Sequence, residues 1–117
     1  MKIQDISALR NLKKLRVLSL GRNEIKDISA LAGLELLEEL LMTRNPVTDI
    51  SSLSDKRHLR VVVFYGSPIA DITPLYANRA LETVGIQGKS TVPCDQFREM
   101  QARLSPDAKV IGEKACG

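Results

Sequence analysis

Leu15-Arg-Val-Leu18-Ser-Leu20-Gly-Arg-Asn23 decides how this chain folds, because it returns 22 residues later as Leu37-Glu-Glu-Leu40-Leu-Met42-Thr-Arg-Asn45. The same spacing divides the surrounding sequence into four units, Ile3–Glu24, Ile25–Pro46, Val47–Pro68 and Ile69–Ser90, with no insertion or deletion. A fixed period of this length marks a solenoid, in which each unit touches only its neighbours. Superposed, the units form apolar columns. Ile3, Ile25, Val47 and Ile69 make one; Ile6, Ile28, Ile50 and Ile72 the next; Leu9, Leu31, Leu53 and Leu75 a third. Leu15, Leu37, Leu59 and Leu81 follow, then Leu18, Leu40, Val62, Val84 and finally Leu20, Met42, Phe64, Ile86. The apolar side chains of one unit do not offset the entropy of ordering its backbone, whereas a stack of several buries a continuous core.

Two periods operate inside each unit. Around Leu18 and Leu20 the spacing is 2, which predicts a strand. Around Ile6, Leu9 and Leu12 it is 3, which suits a short 3₁₀ turn. Each turn carries a hydroxyl residue, Ser7, Ser29, Ser51 or Thr73, expected to cap it by accepting from free backbone N–H groups. Pro74 fits the first helical position. Asp5, Asp27, Asp49 and Asp71 precede the turns and are read as turn-capping carboxylates rather than metal ligands.

These columns resemble the leucine-rich repeat, and the Ile-x-Asp-Ile-Ser-x-Leu of Ile25–Leu31 is similar to the 22-residue repeats of bacterial internalins. The resemblance covers residues 3 to 90. It implies an α/β solenoid with short parallel strands on a concave face, 3₁₀ turns on the convex face, and binding of a protein partner. It also implies an exported or cell-surface setting if the chain is part of a longer internalin-like precursor, and a cytoplasmic one otherwise. The Asn of the motif becomes Asn23, Asn45, Ser67 and Lys89, and the turn column Leu12, Leu34 becomes Lys56 and Asn78. Both changes are read as decay of the repeat towards its C-terminal end.

Residues 1–90 are thus expected to hold the repeats and 91–117 a cap and tail. Phe97, Met100 and Leu104 fall on one face of a helix beginning near Pro93, and Lys109-Val-Ile111 suits a last strand. Phe97 continues the Leu75 column and Cys94 the Ile72 column, which places the helix over the open end of the core. No comparable segment precedes Ile3, so the first coil is expected to expose apolar surface. That makes homo-oligomerisation through the N-terminal end, or a role as spacer or fragment of a larger repeat protein, the alternative to partner binding.

Composition narrows the function classes. Net charge is only +3, aromatic residues make up 3% and Trp is absent, which argues against nucleic acid and its stacking platforms. No apolar run is long enough to span a membrane, and Met1–Gln4 lacks a signal-peptide layout. His58 has no nucleophile and acid arranged around it, no Gly-rich phosphate loop is present, and two Cys with one His make no zinc set. The expectation is a non-enzyme without cofactor or metal. Cys94 and Cys116 leave two states open, a disulfide or two free thiols, and the core column of Cys94 favours the thiols. The candidate binding residues are those at outward strand positions and just beyond: Val17, Arg22, Leu41, Arg44, Val61, Val63 and Tyr65. Interface centres are apolar, and Tyr and Arg are enriched among their hot spots. The alternating row Arg16, Glu38, Arg60, Glu82 is read as cross-strand pairing.

Overall fold

Alternation around the paired apolar positions of each repeat, Leu18 and Leu20 in the first, yields one three-residue strand per coil in the computed structural model, which describes residues 2–113 and 116. The strands are β1 (Val17–Ser19), β2 (Glu39–Leu41), β3 (Val61–Val63), β4 (Thr83–Gly85) and β5 (Lys109–Ile111). They form one parallel sheet in chain order. Leu18, Leu40, Val62, Val84 and Val110 are in register and point inward. The backbone returns through 3₁₀ turns at Ser7–Asn11, Ser29–Leu31, Ser51–Leu53 and Thr73–Leu75. Between strands and turns lies a continuous core, with Ile25, Leu31, Leu37, Phe64, Ile69 and Ile86 fully buried. The solenoid architecture implied by the repeat is therefore the one observed.

The turns are closed differently from expectation. Ile6, Ile28, Ile50 and Ile72 stand at the N-cap, one residue earlier, and have no side-chain capping bond. The hydroxyl residue is then the first residue of the turn, and its own N–H needs an acceptor. Asp5, Asp27, Asp49 and Asp71 supply it: their Oδ1 atoms accept from Ser7, Ser29, Ser51 and Thr73 at 2.8, 2.8, 2.8 and 2.9 Å. These N–H groups, followed by the hydroxyls of the same residues, hold all four carboxyls below the ordinary aspartate value. Capping carboxylates were expected; capping hydroxyls are corrected.

Polar ladders tie coil to coil. Asn45 is buried; its Oδ1 accepts from Ile25 N–H at 3.1 Å, and its Nδ2 donates to Leu20 O at 2.8 Å and Met42 O at 3.2 Å. Asn23 does the same more openly for Ile3, Leu20 and Gly21. Ser67 donates its hydroxyl to Asn45 O. A second ladder runs on the convex side, where decay was expected. Asn78 is buried, accepts from Lys56 N–H at 2.9 Å and donates to Leu53 O at 2.7 Å. The Lys56 stem fills the leucine slot, and its Nζ donates to Ala32 O at 2.7 Å. Burial pushes this amine below its usual value. Lys56 and Asn78 thus replace apolar contact by hydrogen bonds to backbone that would otherwise be orphaned.

The helix α1 (Cys94–Arg103) lies over the fourth coil. Phe97 and Met100 are buried, and Gly112 leaves room for the Phe97 ring: a Cβ there would sit 2.7 Å from it. Gln96 Oε1 accepts from Ile72 N–H at 2.8 Å, and the Arg103 guanidinium lies 4.6 Å from the centre of the Tyr76 ring. Cys94 and Cys116 form a disulfide with Cα atoms 5.2 Å apart, so the favoured reading of two free thiols is corrected. Cys94 opens the helix at its half-buried end rather than sealing the core, which leaves its sulfur accessible to the returning tail. Residues 1, 114, 115 and 117, which the expected segments 1–90 and 91–117 include, lie outside the described residues.

Candidate functional site

Strand register builds the concave surface from two outward rows. One runs Val17, Glu39, Val61, Thr83, Lys109; the other Ser19, Leu41, Val63, Gly85, Ile111. Leu41 and Val63 are register neighbours, and Val61 stands two residues before Val63 on the same face. Tyr65 lies just past β3 and leans across the gap left by Gly85: a Cβ on Gly85 would meet its ring carbons at 2.9 Å. Leu41, Val61, Val63 and Tyr65 are each half-buried, so these four expected residues form one apolar surface supported from below. Ile111, also half-buried, extends it onto β5. Ile111 was absent from the expected set because the helix inserted before β5 breaks the 22-residue count; Lys109 pairs with Thr83, 26 residues earlier.

The remaining expected residues are placed apart. Val17 is 53% exposed and is separated from Val61 by Glu39. Arg22 and Arg44 follow the strands, at the margin where the chain leaves the sheet. Their N–H groups continue the ladder, donating to Thr43 O and Tyr65 O at 2.7 Å each. Both have left-handed backbone, φ 60° and 61°, in a column continued by Gly66 and Gly88. Their side chains are exposed. A groove of about 600 Å³ runs along this margin, lined by Arg44, Asn45, Pro46, Gly66, Pro68, Gly88 and Lys89.

The opposite margin, where the chain enters the sheet, is self-paired as expected. Arg16 Nε lies 3.5 Å from Glu38, and Arg60 lies 3.7 Å from Glu38, 3.3 Å from Glu39 and 3.7 Å from Glu82. These groups are partly exposed and individually contribute little. At the first coil, Ile3 and Leu12 are 44% and 48% exposed.

His58 is exposed on the convex side, in a surface depression with Glu35, Asp55 and Arg57. Among the described residues no group of three or more His, Cys, Asp or Glu is placed to hold a metal. None of their helices is long and apolar enough to cross a membrane. What the arrangement offers chemically is a preformed surface: an apolar centre, one neutralised charged margin and one cationic margin.

Residues 4–47 match the family described as Leucine rich repeat. Internalin C2 (inlC2) from Listeria monocytogenes str. 4b F2365 is similar to this chain with a TM-score of 0.67 and 35% identity, over 68% of this chain and 35% of that one. An internalin (inlF) from the same strain aligns with a TM-score of 0.63 and 24% identity, over 89% of this chain and 37% of that one, and shows the shared fold. The chain spans about a third of the length of the internalins it matches. No curated protein matches it by sequence.

Proposed function

Because this chain is an internalin-like leucine-rich-repeat protein, we propose that it is a non-catalytic module binding a protein partner through its concave sheet. The observation that carries this reading is the apolar surface of Leu41, Val61, Val63 and Tyr65 on outward positions, where the core gains nothing from it. Interfaces place such residues at their centre. The surface is already ordered by register and by the Tyr65 ring over Gly85, so binding orders few new groups. Val17, Arg22 and Arg44 form its periphery. In this reading the four repeats of residues 1–90 carry most of the surface, and the segment 91–117 closes its end with α1 while adding Ile111 of β5 to the sheet.

Affinity capture tests it. Leu41→Ser with Val63→Ser should lose the partners captured by the wild type, while Arg57→Ala with His58→Ala on the convex side should keep them. Retention of every partner by the concave variant removes the assignment.

A further inference from the structure

The strand-exit margin carries charge that nothing in the fold uses. On the entry margin Arg16 and Arg60 are paired with Glu38, Glu39 and Glu82. On the exit margin Arg22, Arg44 and Lys89 are exposed, and none has an ion-pair partner among the described residues. Glu24 accepts from Gln4 Nε2 at 3.0 Å and Glu113 from Ser90 Oγ at 2.8 Å, and neither lies within ion-pair distance of Arg22, Arg44 or Lys89.

The backbone gives a second, independent indication. Arg22 and Arg44 occupy left-handed positions that later coils fill with Gly66 (φ 77°) and Gly88 (φ 107°). A residue with a Cβ is disfavoured there, and glycine is not. Glycine suits this backbone conformation in all four coils, so the left-handed turn itself does not call for arginine. Residues kept in costly conformations cluster where function needs their side chains.

Space is the third element. The groove beside Arg44 passes over the two glycines to Lys89. A Cβ on Gly66 would sit 3.3 Å from Arg44 Cγ, and one on Gly88 3.1 Å from Gly66 N, so side chains at either position would crowd the floor. No aromatic ring lines the groove on which a base would stack. We propose that it takes an acidic, extended segment of a protein partner, with carboxylates paired to Arg44 and Lys89 and main chain lying over Gly66 and Gly88. This deepens the protein-binding reading above by naming the chemistry of one part of the partner.

Fluorescence anisotropy with a labelled hexaglutamate peptide tests the groove without any partner. Hexaglutamate should bind saturably at about 50 mM NaCl and several-fold more weakly at about 200 mM, and hexaglutamine should not bind. Arg44→Gly with Lys89→Gln should weaken hexaglutamate by about tenfold or more. Glycine suits the backbone at position 44, so a melting curve no lower than wild type separates lost binding from lost folding. Arg10→Gln with Lys14→Gln, which removes the same charge from the convex side, should change affinity by less than about twofold. Absence of hexaglutamate binding, equal losses in the two double variants, or tighter binding of a six-thymidine oligonucleotide would overturn the proposal. If hexaglutamate binding depends on Arg44 while Leu41→Ser with Val63→Ser keeps every captured partner, only the apolar-centre reading falls. In the reverse result only the groove falls.

Discussion

The first and last coils of this solenoid are copies of one repeat, yet the same side chains have different surroundings in each. Ile3 and Leu12 in the first coil are exposed, whereas their copies Ile25 and Leu34 are fully buried one coil later. At the other end Ile69, Leu75 and Ile86 are fully buried, because α1 and β5 lie over them. Burial is therefore not a property of the motif. It depends on having a neighbour on both sides, as expected when coils interact only with those adjacent.

The largest test of that contrast is an apolar deletion at each end. Phe97→Ala should cost about 3–5 kcal/mol, because it empties a packed site under the cap. Leu12→Ala should cost under about 0.5 kcal/mol, since the side chain is half in water already. Equal shifts of the two urea midpoints would mean that the cap does not seal the core. The disulfide comes next. Closing a loop between Cys94 and Cys116 restricts the unfolded chain by about 3 kcal/mol in the loop-entropy treatment. Cys94→Ser with Cys116→Ser should lower the midpoint accordingly, and dithiothreitol should lower wild type to the same value without moving the variant. A wild-type midpoint insensitive to reductant would show that the tail adds nothing to the capped end.

The smallest effect is acid sensitivity. The folded-state values of Asp5, Asp27, Asp49 and Asp71 lie below the ordinary 3.8. Each carboxylate therefore contributes stability that is complete above that ordinary value and is lost as pH falls through the lower folded one. Asp71 also faces Gln96, so its turn is tied to the cap. Asp71→Ala should flatten the loss of stability below about pH 4 more than Asp5→Ala does. Identical acid titrations of the two variants, followed by circular dichroism, would remove the distinction between the ends.

Strands, turns and cap were legible because each rests on a period: 2 for Leu18 and Leu20, 3 for Ile6, Leu9 and Leu12, and helical spacing for Phe97, Met100 and Leu104. Lys56 and Asn78 look like decay of the repeat in sequence because hydropathy measures a side chain's cost of burial and not the backbone groups it can satisfy. Lys56 is a leucine along its stem and a donor at its tip. The disulfide was open because spacing along the chain does not give the distance between Cys94 and the tail. Within the candidate site, alternation located Leu41, Val61 and Val63. It could not place the Tyr65 ring over Gly85, which depends on the absence of a side chain one strand away. Nor could it reach Ile111, since α1 resets the count.

The polar ladders also have a direction. Asn23 completes the backbone of Ile3, Asn45 that of Ile25, Asn78 that of Lys56, and Gln96 that of Ile72. In every case the later residue serves the earlier one. As the chain leaves the ribosome, a coil that has already emerged still awaits its acceptor, which arrives 20 to 24 residues afterwards. Completion of these groups lags synthesis by about one repeat, and for Ile72 the acceptor comes from the helix α1 instead of a further coil.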